Sequence, residues 1–130
     1  GVKVVAISSS SIETHPQDGP EAMVEDAAKW GYPFPYLYDE TQEVAVAYKA
    51  ACTPEFYVFD KDCKLVYHGQ FDDAKPSKTD TPVTGADLRA ALDAVLSGGP
   101  PHKSRPSIGC NIKWAPGFQP DYFGAQVVKK

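Results

Sequence analysis

Cysteine is scarce in this chain and follows no familiar spacing. Cys52, Cys63 and Cys110 lie 11 and then 47 residues apart, so no Cys-x-x-Cys pair occurs. Three widely spaced thiols do not make a disulfide framework, and the odd number argues against a purely structural set. Zinc is equally unsupported, because a site needs four converging ligands and His15, His68 and His102 have no spaced partners. The longest wholly apolar runs are only a few residues, which excludes a membrane-spanning helix. Lys and Arg are not clustered and the net charge is −4, so a nucleic-acid surface has no electrostatic support. Neither an internal repeat nor a secretory signal is visible. The chain opens on Gly1-Val2-Lys3-Val4-Val5-Ala6-Ile7, already strand-like, and a truncated or processed front would hide any targeting segment.

What is present suits a globular α/β domain: 130 residues, 42% hydrophobic and 23% charged. Val2 to Ser8 is nearly continuous in apolar residues and is expected to be a parallel, buried strand. Pro20 stands where a first helical residue should, with Glu21 beside it at the positive helix end. Met23, Val24, Ala27, Ala28 and Trp30 make the apolar stripe of that helix, and Gly31 ends it. Tyr36 to Tyr38 is a short extended piece. Asp39 and Gln42 are spaced as a capping box for a second helix with the stripe Val44, Ala45, Tyr48 and Ala51. A polar stretch runs from Phe71 to Pro82. A third helix starts after Thr84, turns Leu88, Ala91, Leu92 and Val95 inward and closes at Gly98. Residues 1–98 read as the core, and 99–130, beginning with a Gly- and Pro-rich linker, as an extension packed on it.

The stretch Ala51 to Asp60 organises the rest. Phe56 to Phe59 is a strand, with Phe56 and Val58 on one face and Tyr57 and Phe59 on the other. A strand apolar on both faces is normally central in a sheet covered by helices. Pro54 removes a donor at its entrance, where a sheet best tolerates that loss. Asp60-Lys61-Asp62-Cys63 reads as a tight turn and Lys64 to His68 as the returning antiparallel strand.

Thr53-Pro54, the aromatic strand, Asp-x-Asp and the second strand together resemble the second half of a thioredoxin fold. Phe34-Pro-Tyr-Leu-Tyr-Asp-Glu-Thr-Gln-Glu-Val-Ala-x-Ala-Tyr, followed by Thr-Pro-Glu-Phe-Tyr-Val-Phe-Asp, is similar to the redoxin branch. That branch holds thiol–disulfide proteins and peroxide-reducing proteins of the alkyl hydroperoxide reductase (AhpC/TSA) type. The resemblance covers Val2 to about Leu96, and the tail Ser107-Ile-Gly-Cys-Asn-Ile-Lys-Trp114 is similar to that of one bacterial subfamily. It implies a three-layer α/β/α fold with a mixed sheet, an oxidoreductase or antioxidant activity, and a cis bond before Pro54. It implies a thiol or disulfide protein, or a peroxide, as partner, no cofactor, and a cytoplasmic setting.

The same resemblance exposes a hole. It implies a central strand before Val2, carrying Cys-x-x-Cys or a peroxidatic cysteine at the start of the next helix. There the helix dipole and backbone N–H groups lower a thiol pKa, and none of the three cysteines present has that context. The chain is thus similar to the carboxyl-terminal two-thirds of a redoxin. The open edges expected between Val2–Ser8 and Phe56–Phe59 cost about 1–3 kcal/mol per unpaired buried backbone group. A preceding segment of at least about 30 residues, or another chain's strand, is expected to fill them.

Thr53, Pro54 and Glu55 are the candidate substrate groove. Cys52 is either a modulating or resolving thiol or a small packed residue at a helix end. Cys110 is either a late resolving cysteine or part of a tail packed by Ile108, Ile112 and Trp114. Cys63 reads as an exposed, incidental thiol, the three histidines as surface or strand residues, and Asp72-Asp73 as an acidic turn. Glu55 is either a solubilising edge residue or a polar contact near a reactive thiol. Two function classes remain: a redox protein whose catalytic front half is not in this chain, and a noncatalytic module that binds extended peptide around Pro54.

Overall fold

The computed structural model describes residues 1–75 and 77–122. Among the described residues six short strands and three α-helices follow in the order β1 (Ala6–Ser8), α1 (Pro20–Trp30), β2 (Tyr36–Tyr38), α2 (Glu43–Ala47), β3 (Cys52–Thr53), β4 (Phe56–Phe59), β5 (Leu65–Gly69), α3 (Ala86–Ser97) and β6 (Cys110–Asn111). The contacts divide them into two compact units, Gly1–Ala51 with Ile112–Lys130, and Cys52–Asn111. The cuts therefore fall at residues 51/52 and 111/112, and the segment beyond residue 98 is shared between the units. Residues 123–130 of the expected extension lie outside the described residues.

In the first unit β1 and β2 pair in parallel, Ala6 with Tyr36 and Ser8 with Tyr38. Pro20 starts α1 and Gly31, in the left-handed conformation at φ 62°, ends it, both where the sequence places them. Two expectations about burial are corrected. Val2, Val4, Val5 and Ile7 are 42–55% exposed, because only Ala6–Ser8 find a strand partner and nothing described covers the run. On α1 only Met23 is buried, while Val24 and Trp30 face solvent and the Lys29 ammonium lies 4.9 Å from the Trp30 ring centroid.

The start of α2 departs from a capping box in an instructive way. Asp39 does cap the helix, its carboxylate accepting from the N–H of Val44 at 3.3 Å and of Ala45 at 2.9 Å. Gln42 does not reach back to Asp39. It adopts φ 63° and is 2% exposed, and its amide Nε2 donates to the carbonyls of Ser9 and Lys113 while Oε1 accepts from the N–H of Ala115. One side chain thereby satisfies backbone groups of two distant segments, which a spacing rule written for a single helix does not anticipate. Ala45, Ile112 and Trp114 form the small apolar core here, with Val46 and Ala50 packed against it.

In the second unit β4 and β5 form an antiparallel hairpin, and α3 covers one of its faces. Val58, Tyr67 and Ala91 are buried together, with Phe56, Val66, Leu88, Leu92 and Val95 around them. A fully buried side chain of this size is worth about 1.5–3 kcal/mol, against a few tenths for most differences in helix propensity. Packing, rather than propensity, holds α3 in place. Its start is fixed by Asp72, whose carboxylate accepts from the N–H groups of Thr84, Gly85 and Ala74. Those bonds, that of Gly85 above all, hold the Asp72 carboxyl below the usual range.

The expectation that β1, β4 and β5 share one sheet is not met. β1–β2, β3–β6 and β4–β5 are three separate two-stranded sheets. Each strand is short and finds a single partner, and no described strand links β1 to β4.

Candidate functional site

The segment Cys52 to Glu55 joins β3 to β4. β3 pairs antiparallel with β6, Cys52 opposite Asn111 and Thr53 opposite Cys110. The Thr53 hydroxyl donates to the Cys110 carbonyl at 3.5 Å. Gly109 makes this approach feasible, because a Cβ there would collide with the Thr53 carbonyl. The Thr53–Pro54 peptide bond is cis, and both residues are exposed. A solvent-facing two-residue ledge is thus held by a strand pair on one side and by the hairpin entrance on the other.

Behind the ledge the groups are polar and enclosed. Cys52 is 6% exposed, and its S–H faces two acceptors, Glu55 Oε1 at 3.4 Å and the Ser107 carbonyl at 3.6 Å. Burial first, then the Glu55 charge and its hydrogen bond, push the thiol up to about 12. The Glu55 side chain is 3% exposed, and its Oε2 accepts from the Tyr57 hydroxyl at 2.7 Å and from His68 Nε2 at 2.9 Å. Burial alone would raise the Glu55 carboxyl, but the bonds from His68, Tyr57 and Cys52 outweigh it and hold it below the ordinary range. Glu55 therefore makes a polar contact with a thiol, but with one that burial and the carboxylate itself keep protonated.

The other thiols differ. Cys63 is exposed in the β4–β5 turn at φ 58°, where Asp60 accepts from the N–H groups of Asp62 and Lys64. Cys110 is exposed on β6, and all three cysteines are free. The three α-helices begin at Pro20, Glu43 and Ala86, so no cysteine heads a described α-helix. The low-pKa context that a catalytic thiol gains from a helix start is not offered to Cys52, Cys63 or Cys110.

Several contributors went unrecognised in the sequence. His68 and His102 each bond a carboxylate, His68 to Glu55 and His102 to Asp87 at 3.0 Å. Asp87 also accepts from Gln70 Nε2 at 2.7 Å, and these two bonds hold its carboxyl below the usual range despite burial. The signal for the first pair was available: alternation puts Glu55 and Tyr57 on one face, and the hairpin register sets Tyr57 opposite His68. No comparable local signal marks Ser107 or His102. Among the described residues no group of three or more His, Cys, Asp or Glu is placed to hold a metal ion. A polar cavity of about 210 Å³, lined by Ser8, Ser10, Asp18, Asp26 and Tyr36 among others, includes no cysteine. No helix among the described residues is long and apolar enough to cross a membrane.

Comparison with known proteins gives this arrangement a setting. Two solved structures match closely. An uncharacterized conserved protein from Geobacillus kaustophilus is 61% identical with a TM-score of 0.85, over 90% of this chain and 62% of that one. A hypothetical protein from Sinorhizobium meliloti is 52% identical with a TM-score of 0.85, over 90% of this chain and 64% of that one. The chain therefore spans a little under two thirds of the length of these relatives. No curated protein matches. The AhpC/TSA family model matches residues 1–68, more than half of the chain. With a thioredoxin-like α/β fold and that match, the chain belongs to the AhpC/TSA family.

Proposed function

We propose that this chain supplies the substrate-groove part of a thiol–disulfide redoxin whose reacting cysteine comes from outside these 130 residues. The observation that carries the reading is the exposed Thr53–Pro54 ledge, backed by a cysteine whose thiol stays protonated near neutral pH. An extended segment of a thiol- or disulfide-bearing protein lies along Thr53, Pro54 and Glu55. Cys52 packs behind them, and Cys110, opposite Thr53, is the exposed thiol in register with the ledge. A preceding segment or a second chain completes the sheet beside β1. The exposure of Val2, Val4, Val5 and Ile7 supports that, as does the share of the relatives that this chain spans. The proposal includes the cytoplasmic setting expected from the sequence.

The test is disulfide reduction and peroxide turnover by residues 1–130, and by a protein extended to the length of the relatives. We expect no turnover by the shorter chain and thiol–disulfide exchange by the longer one. Peroxide turnover instead would move the assignment to the peroxide-reducing branch. Turnover by residues 1–130, abolished by Cys52→Ser or Cys110→Ser, overturns the proposal. A second reading, a noncatalytic peptide-binding module, is favoured by the protonated state of Cys52. It would be supported by peptide binding without exchange in the extended protein.

A further inference from the structure

We propose that Glu55, seated by His68 and Tyr57, is a positioning residue that keeps the Cys52 thiol out of exchange chemistry at the Thr53–Pro54 ledge. The inference deepens the reading above and rests on it for its consequence, but its measurement does not depend on exchange activity.

The geometry is that of a charge fixed against a sulfur. Glu55 directly follows Pro54, and Tyr57 and His68 both donate to its Oε2. With that oxygen tied down, Oε1 is turned to Cys52 Sγ at 3.4 Å. A thiolate at Cys52 would face this like charge in a setting where both side chains are almost wholly enclosed and water screens little. The Ser107 carbonyl, also an acceptor, meets the sulfur at 3.6 Å. A charge on Cys110 acts in the same direction as Glu55, and the Gly109 N–H opposes them and is outweighed. Tyr57 and His68 contact Glu55 rather than the thiol, so their effect on Cys52 passes through the carboxylate.

The consequence follows from the exchange step. When a reacting cysteine holds substrate as a mixed disulfide, a nucleophilic Cys52 would attack that cysteine's sulfur. A new S–S bond to Cys52 would form, the bond to substrate would break, and substrate would leave as a thiolate with no net change in oxidation state. The reacting cysteine would then be locked to Cys52. A carboxylate beside Cys52 suppresses this by keeping the proton on sulfur, since the thiolate is the attacking species.

The experiment is pulsed iodoacetamide alkylation between about pH 7 and 10.5, bracketing ordinary cysteine, with the Cys52 peptide read by mass spectrometry and Cys63 and Cys110 as internal clocks. In the unmodified protein the Cys52 rate is expected to be slow and still rising at the upper limit. Glu55→Gln keeps the shape and removes the charge. It is expected to raise the Cys52 rate about tenfold through the range, with Cys63 and Cys110 unchanged, as a drop of about one pKa unit requires. Tyr57→Phe, which keeps the charge, is expected to change the rate less than about twofold. An unchanged rate in Glu55→Gln would overturn the proposal, since burial alone would then silence Cys52. So would an equal rise in Tyr57→Phe, because that reports a loosened structure. Failure of the groove reading would appear as absent exchange activity and leave this profile intact.

Discussion

The rings of Tyr57 and His68 lie stacked across the β4–β5 pair, centroids 4.2 Å apart and planes 17° apart, and both side chains donate to the same oxygen of Glu55. The stack orients two donors towards one buried acceptor. Removing the imidazole leaves that carboxylate short of a partner. His68→Ala is therefore expected to cost about 1–3 kcal/mol, read as a lowered urea midpoint at pH 7, while His15→Ala, on an exposed hydrogen bond to Thr14, should cost less than about 0.5 kcal/mol.

Acid should weaken the fold through three carboxylates. Glu55, Asp72 and Asp87 are all held below their ordinary values in the folded chain, so the unfolded state binds more protons as the pH falls. Their contribution is present above the unfolded values, near about pH 4, and is lost as the pH drops through the lower folded ones. Urea midpoints measured from pH 7 down to pH 3 should decline most steeply below about pH 4. Asp87→Asn should flatten part of that decline.

Gln42→Ala should be among the most damaging single changes. It strips partners from the Ser9 carbonyl and the Ala115 N–H at a position 2% exposed, and one of two donors from the Lys113 carbonyl, which keeps the Ser11 N–H. With buried groups unpaired at about 1–3 kcal/mol each, partly relieved by water, a loss of about 2–4 kcal/mol is expected in denaturation. Gln42→Glu should not rescue it, because a carboxylate offers no donor to the two carbonyls.

Two glycines mark close backbone approaches. A Cβ on Gly69 would strike the Arg105 carbonyl, and one on Gly109 the Thr53 carbonyl. Gly69→Ala should destabilise the protein by about 1–3 kcal/mol. Gly109→Ala should separate β6 from β3, and is expected to weaken any peptide binding at Thr53–Pro54 beyond what its effect on stability explains. Comparing binding with the urea midpoint for both variants checks this.

The turn thiol offers a change in the opposite direction. Cys63 is exposed at φ 58°, a conformation that costs a non-glycine residue about 1–2 kcal/mol. Cys63→Gly should raise stability by about 0.5–1 kcal/mol once the greater freedom of glycine in the unfolded chain is deducted. A short maleimide pulse should then modify one cysteine, Cys110, instead of two.

Where local patterns and tertiary packing agreed, the sequence was readable. Leu88, Ala91, Leu92 and Val95 recur at helical spacing and all four pack against the hairpin, as the period requires. The hairpin and the ends of α1 followed from aromatic runs, Pro20 and Gly31. Periodicity names an apolar face but not whether anything covers it, so Val2 to Ile7 and the Val24–Trp30 side of α1 were misjudged. Thr53 and Pro54 were placed by resemblance. The Ser107 carbonyl that meets Cys52 comes from 55 positions along the chain, and spacing within one element does not encode it.

The carboxyl-terminal stretch also sets an order of events during synthesis. Gln42 meets Ala115 across 73 positions, and Thr53 meets Cys110 across 57. A ribosome must deliver residue 110 before one contact closes and residue 115 before the other, and such distant closures are entropically slow. Until then the Ser9 carbonyl, Ala45 and the ledge before Glu55 await their partners, exposed to other nascent chains. Residues 110–115 thus behave as a late-arriving clasp, and premature termination ahead of them would yield a species prone to aggregate rather than a smaller working fold.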